Sequence, residues 1–175
     1  MANKKAKSKQ LIQLAFYQLL LKKDFENISI KEICEKAGVS RMSFYRYYST
    51  KEDVFIVFCD EAFDKFFQEI SHNPSLTIRD MFVLFFHGLL DYHREIDILK
   101  KSQRETILLS QFEQYASYIA SKINVHTITV RVSPFTIPFF AGGLFNIVIR
   151  WSNRNYIDTP EEMTDSVMSF IGRDN

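Results

Sequence analysis

Cysteine is scarce in this chain. Only Cys34 and Cys59 occur in 175 residues, and their spacing fits neither a disulfide scaffold nor a zinc ligand set. Both fall within helical patterns, where reduced and buried thiols are expected. Also missing are a glycine-rich phosphate loop, a nucleophile elbow and any His/Asp/Glu motif at metal spacing, so nothing supports an enzyme and no cofactor or metal is expected. No hydrophobic run is long and uncharged enough to span a bilayer, which argues against a membrane partner. The lysine-rich start followed by Leu11 to Leu21 imitates a signal peptide. Gln13 and Gln18 interrupt that run, however, and Lys22-Lys23-Asp24 stands where a small-residue cleavage site belongs. A cytoplasmic protein is the expectation. Internal repeats and low-complexity runs are absent as well.

What is present is an ordinary globular balance, 46% hydrophobic and 25% charged, with seventeen phenylalanines. The net charge of +1 hides an asymmetry: residues 1–53 carry eleven Lys/Arg against six Asp/Glu, and the remainder eleven against fifteen. A basic end followed by an acidic one suits a chain that presents its N-terminal part to a polyanion. Residues 1–9 read as a disordered basic arm.

The stretch Ile28 to Asp53 is the most specific. Ser29 and Glu32 form a capping box, so a helix should start at Ile30, with Ile30, Ile33, Cys34 and Ala37 on one apolar face. Gly38 can supply the left-handed conformation that stops it, and Ser40 is a good N-cap for a second helix from Arg41 to about Tyr48. Two short helices joined by such a turn make a helix-turn-helix, whose second helix lies in the major groove of DNA. On that helix Phe44 and Tyr48 share the inward stripe, while Arg41, Met42 and Tyr45 fall outside it. Arg41 can donate two hydrogen bonds to guanine, Met42 offers apolar contact to a thymine methyl, and Ser43 can donate or accept. Tyr45 and Tyr47 can reach phosphate oxygens. Ser49 and Glu52 read as another capping box, placing Lys51 in the first turn of the next helix as a phosphate clamp.

Further along, an amphipathic helix is expected from about Ser8 to Lys23 through Leu11, Ile12, Ala15, Phe16, Leu19 and Leu20. A longer one follows from Lys51 to about Ser71. Thr77 and Asp80 cap a helix to about His93 that is apolar nearly all round and should be buried. A short segment, Glu95 to Lys101, leads to a helix from Ser102 to about Asn124. Val125 to Val132 reads as a connector. Ser133 and Pro134 begin a helix through Trp151, in which Gly142-Gly143 implies close approach of a partner helix or ligand. Thr159-Pro160-Glu161-Glu162 starts the last helix. The expectation is an all-α fold of about nine helices: a three-helix DNA-binding domain, residues 1–50, and a helical effector-binding and dimerisation domain, residues 51–175.

The run Ser29-Ile30-Lys31-Glu32-Ile33, Ala37-Gly38-Val39-Ser40, Phe44-Tyr45, Tyr47-Tyr48 and Lys51-Glu52 resembles the DNA-binding signature of the TetR family of bacterial transcription regulators, over roughly residues 8 to 55. The resemblance implies that Arg41, Met42, Ser43 and Tyr45 face bases or the adjacent backbone, that Tyr45, Tyr47 and Lys51 grip phosphates, and that Lys31 can reach the groove. Tyrosine replaces a frequent histidine at Tyr47, and Met42 is larger than usual. The segments Ala141-Gly142-Gly143-Leu144, Arg150-Trp151 and Thr159-Pro160-Glu161-Glu162 are similar to a subset of the family that resembles the DhaS regulator of dihydroxyacetone kinase genes. In the family the last two long helices form a four-helix bundle with their copies in a second subunit.

Reading two half-sites calls for two recognition helices, so a homodimer on a double-stranded operator is expected. Gly143, Ile147, Trp151, Val167 and Phe170 are the candidate interface. Phe82, Phe86, His87, Phe112, Tyr115 and Phe139 are the candidate lining of a small-molecule effector pocket, with Tyr118 and Phe135 as further aromatics and His93 or Arg104 as further polar groups. The family resemblance implies a repressor that an effector releases from its operator. A protein-binding coactivator of the same fold, docking on another regulator, is the alternative. The survival of Lys31, Arg41, Ser43, Tyr45, Tyr47 and Lys51 argues for DNA.

Overall fold

The computed structural model describes residues 2–73, 75–122 and 133–171, and among them every regular element is helical. Among the described residues nine α-helices occur: α1 Ala2–Leu20, α2 Ile30–Ala37, α3 Arg41–Tyr45, α4 Glu52–His72, α5 Ile78–Asp91, α6 His93–Lys101, α7 Thr106–Lys122, α8 Thr136–Asn153 and α9 Pro160–Ile171. A single 3₁₀ turn, Phe25–Asn27, joins α1 to α2. No described helix is long and apolar enough to cross a membrane.

Local chemistry sets most of these boundaries. At α2 the capping box is complete: the Glu32 amide donates to Ser29 Oγ at 3.2 Å, and the Ser29 amide donates back to Glu32 Oε2 at 3.2 Å. Gly38 ends the helix at φ +65°, a conformation in which a Cβ would be strained. Thr77 with Asp80 and Thr159 with Glu162 close equivalent boxes at α5 and α9. Ahead of α4 the sequence expectation needs correcting. The carboxylate that caps it belongs to Asp53, which accepts from the amides of Ser49 (2.7 Å) and Thr50 (2.9 Å), while Thr50 Oγ1 accepts from the Asp53 amide. Glu52 turns instead toward Arg104.

Other expectations shift for physical reasons. Residues 2–9 continue α1 rather than forming a disordered arm, because the helical amide ladder runs on through them. The segment 95–101 is helical, as α6, with Ile96 and Leu99 buried at helical spacing. α7 starts at Thr106, after a corner in which Gln103 takes φ +54°. α8 starts at Thr136, although Ser133 still caps the turn by accepting from the Phe135 amide at 3.2 Å. α5 is not enclosed: Phe86 and Leu89 are buried, whereas Met81, Phe82, Leu84 and Phe85 keep partial exposure. The connector 125–132 lies outside the described residues.

Packing is carried by aromatic rings. α1 lies across α2, α3 and α4, and Phe16, Phe25 and Phe55 form a triangle with centroids 5.1 to 6.0 Å apart. Phe44 and Tyr48 fill the same core from α3 and the turn after it. In the rest of the chain α7 packs on α8, and α5 on α9. There Phe63, Phe112, Phe85, Phe86 and Trp151 follow one another at 5.3 to 5.7 Å. Trp151 is 1% exposed, and its indole N–H donates to the Asp158 carbonyl at 3.0 Å. Trp151→Ala is therefore expected to cost about 3–5 kcal/mol, read as a lower urea midpoint. A cost below about 1 kcal/mol would remove the indole from the core.

Candidate nucleic-acid interface

The helix-turn-helix is built on α2, Gly38 and α3. Ser40 holds the start of α3 by accepting from the Ser43 amide at 3.1 Å. The regular helix is five residues long, shorter than the octet the sequence suggested, because the Phe44 carbonyl accepts from both the Tyr47 and the Tyr48 amides. That tightened turn carries Tyr48 into the core, where it is 1% exposed.

With Phe44 and Tyr48 inward, the opposite face carries Arg41, Met42 and Tyr45, all exposed. Met42 is 81% exposed and Tyr45 57%. A methionine so uncovered on an amphipathic surface lacks an intramolecular reason, since its burial would be favourable. The Tyr45 ring stands edge-on to Phe44 at 5.6 Å, which fixes its direction. Lys31 projects from α2, with Glu35 3.8 Å from its ammonium. Tyr47 is half-buried beside Tyr48, with ring centroids 6.2 Å apart.

Two members of the expected set have other duties. The Ser43 hydroxyl lies 3.1 Å from Ser40 Oγ, within the cap of its own helix. Lys51 is held inward: its ammonium donates to the carbonyls of Phe25 at 2.6 Å and Ile28 at 3.0 Å, and sits 4.2 Å from the centre of the Phe25 ring. The Phe25 carbonyl, which already accepts from the Ile28 amide, opens the 3₁₀ turn and Ile28 is its C-cap, so the ammonium grips both ends of that turn and the expected phosphate clamp is first of all a brace between α4 and the turn. Sequence reasoning missed Arg46, an exposed cation at the C-cap of α3 beside Tyr45. Its place in the same motif was the available signal.

Glu32 is held below the usual carboxylate range, first by the hydrogen bond from Lys23 and then by the Ser29 amide. The capping box therefore contributes fully above the ordinary value of 4.5, and its contribution is lost as pH falls through the lowered value.

None of the residues named for an effector pocket lines the cavity found among the described residues. Phe86 and Phe112 are core, and Tyr115 stacks on Phe63 at 4.4 Å and donates to Asp60 Oδ1. His87 is exposed and meets Glu161 at 3.0 Å, Phe82 is half-buried, and Phe135 and Phe139 face outward. His93 bonds the Leu90 carbonyl, and Arg104 turns to Glu26. The side chain of Tyr118 lies outside the described residues. A cavity of about 40 Å³ does exist elsewhere, between α4, α5, α6 and α7, lined by Phe55, Phe58, Cys59, Phe63, Tyr92 and Leu99 among others. It has room for about three waters. Its walls are apolar, and burial pushes the Cys59 thiol up to about 12.

The proposed interface divides likewise. Trp151 and Val167 are buried within the chain, so neither can anchor a partner. Gly143 is exposed, Ile147 half-buried and Phe170 85% exposed. Among the described residues nothing beyond their own helix backbone and chain neighbours comes within 4 Å of a Cβ built on Gly142 or Gly143. Among the described residues no group of three potential metal ligands occurs.

Residues 15–57 match the family described as bacterial regulatory proteins, tetR family. An uncharacterized HTH-type transcriptional regulator of Haemophilus influenzae is 38% identical over 52 residues, 30% of this chain and 25% of that protein. The Bacillus subtilis HTH-type regulator YuxN is 22% identical over 95% of this chain and 62% of its own. The chain thus spans under two thirds of the length of either relative. In fold it is similar to Lin0861 from Listeria innocua (TM-score 0.77, 22% identity, 92% of this chain and 89% of that one). It is also similar to the dihydroxyacetone kinase operon activator DhaS (TM-score 0.57, 17% identity, 94% and 93%).

Lys51→Met, which keeps the stem and removes the ammonium, is expected to destabilise the protein by about 1–3 kcal/mol in urea titration. Unchanged stability would mean that the two carbonyls do not depend on it. Glu32→Gln is expected to flatten the acid side of the stability profile measured between pH 3 and 6, a window chosen around ~4.5. An identical profile would remove the box from the acid response.

Proposed function

We propose, from the match of residues 15–57 to the tetR family of bacterial regulatory proteins, that the chain is a sequence-specific DNA-binding transcriptional regulator of that family, a homodimeric repressor that a small-molecule effector releases from its operator. The observation that carries the reading is the division of α3 and its following turn: Phe44 and Tyr48 are buried, and Arg41, Met42, Tyr45 and Arg46 are exposed on one side of a capped helix-turn-helix. A guanidinium, a thioether and a phenol so arranged match guanine, thymine methyl and phosphate in a major groove. Lys31 and Tyr47 border that face, Ser43 shapes its start, and Lys51 steadies the unit from behind.

In this reading residues 1–50 form the DNA-binding domain and residues 51–175 the effector-binding and dimerisation domain. A second copy covers the outward face of α8 and α9 around Gly143, Ile147 and Phe170, where uncovered apolar surface and open space adjoin. The effector is an uncharged apolar molecule, because the cavity between α4 and α7 offers apolar walls. At about 40 Å³ it must widen to admit a drug-sized ligand, which ordinarily needs ~300 Å³ or more, and widening moves the helices that frame it. An effector that prefers the DNA-incompetent form ~100-fold shifts the balance by about 2.7 kcal/mol.

The test is a gel shift on duplexes that the purified protein selects from random sequence. Tyr45→Ala is expected to weaken binding to all duplexes alike, and Arg41→Ala also to relax base preference at one position by about 1–3 kcal/mol. Equal binding by wild type and both variants would sink the assignment. Lys51 is the wrong probe for this purpose, since its loss also loosens the fold.

A further inference from the structure

Besides the packing of α4 on α1, the corner between α6 and α7 touches the helix-turn-helix unit from the side, and Arg104 carries most of the polar contact there. Arg104, with 30% of its side chain exposed, reaches Glu26 Oε1 at 2.5 Å from one nitrogen and Glu52 Oε1 at 3.8 Å from another. Its guanidinium lies 4.8 Å from the centre of the Phe25 ring. Lys101, three residues earlier, lies 3.7 Å from Asp24. The corner therefore brings two cations to three carboxylates that flank the 3₁₀ turn and the start of α4.

Two features set this apart from a surface ion pair. The first is Phe25: it is 2% exposed, it completes the triangle with Phe16 and Phe55, and it takes the Lys51 ammonium at 4.2 Å as well as the Arg104 guanidinium. Two cations on one ring repel each other unless each is neutralised separately. The Lys51 ammonium is offset by two carbonyl dipoles that accept from it, and the Arg104 charge is balanced by the carboxylates of Glu26 and Glu52. A planar fork that can stack and donate at two edges meets that requirement, whereas a lysine has only a point charge. The second feature is Gln103, whose φ of +54° is unfavourable for a residue with a Cβ and aims its neighbour at the turn. Arg104 also donates to the carbonyls of Ser102 and Gln103, so the strained loop and the ion cluster are held by one group. Leu99 and Leu108, which flank the corner, both line the cavity.

We infer that Arg104 is a positioning residue for DNA binding: it fixes the 3₁₀ turn, and through Phe25 and Glu52 the angle at which α1 to α3 meet the rest of the chain, so that operator affinity depends on a side chain that touches no DNA. The inference rests on the DNA-binding reading above for its consequence, but not for the contact itself. Leu99 and Leu108 bring one edge of the cavity wall, otherwise built mainly on α4 and α6, up to the corner that Arg104 holds.

The experiment uses the full chain and two readouts. Hydrogen exchange follows the amides of Asn27 and Ile28, which close the turn, against those of Ile33 and Cys34 inside α2. Gel shift follows affinity for the selected duplexes. In Arg104→Ala the turn amides are expected to exchange about tenfold faster while the α2 amides keep their rate, and affinity is expected to fall about tenfold with the selected sequences unchanged. Arg104→Lys should recover part of both losses. Gln103→Gly, which relieves the backbone and leaves the cluster, should behave as wild type at the turn. Unchanged turn exchange in Arg104→Ala overturns the inference, as does equal acceleration of the α2 amides, which would make the role one of general stability. If the wild-type protein selects no duplex, the DNA-binding reading fails, and the exchange result alone decides whether Arg104 positions the unit.

Discussion

Phe55 couples the two ends of this molecule. It stands one turn into α4, is fully buried, and packs against Phe16 and Phe25 of the N-terminal helices, while the next turns of the same helix present Phe58, Cys59 and Phe63 to the cavity. A helix is stiff over such a distance, so the direction in which α4 enters the rest of the chain and the direction of α3 are not independent. The two cations around Phe25 reinforce that dependence from the side. Removing Phe55 would leave both the helix-turn-helix and the body of helices without the surface they share.

What remains on the outside is informative because the inside is so consistently satisfied. Phe, Tyr and Trp rings contact one another through much of the core, and the carbonyl that Trp151 meets and the capping boxes leave few polar groups without partners among the described residues. Against that background an uncovered Met42, a Tyr45 directed by its neighbour and a Phe170 in solvent are not leftovers of poor packing. They sit on two separate faces, one basic and one apolar, and the two faces ask for different partners.

Much of the candidate site was legible because it is written in short-range chemistry. Ser29 with Glu32, Gly38 and Ser40 act over three or four residues, and their geometry follows from backbone hydrogen bonding that no tertiary contact has to supply. The inward stripe of Phe44 and Tyr48 was likewise readable from spacing. The bracing contacts of Lys51 were not legible for the opposite reason: the two carbonyls that it meets lie 23 and 26 residues away. The same holds for Arg104, one of several candidate polar groups for a pocket, which meets residues 52 and 78 positions earlier. The cap on α4 failed more narrowly, since Glu52 and Asp53 are adjacent carboxylates and only the competing pull of Arg104 separates their roles.

The order of residues alone determined that the chain is helical, where most helices begin, and which face of the recognition helix is apolar, because caps and periodicity are properties of neighbours along the backbone. Which aromatics are core and which are surface was decided by tertiary structure. Trp151 and Phe170 look alike as apolar residues on the last two helices, yet one is enclosed by Phe86 and Tyr156 and the other faces outward. Burial depends on what the rest of the chain brings to a side chain, and that information is spread over separations of tens of residues that no local pattern contains.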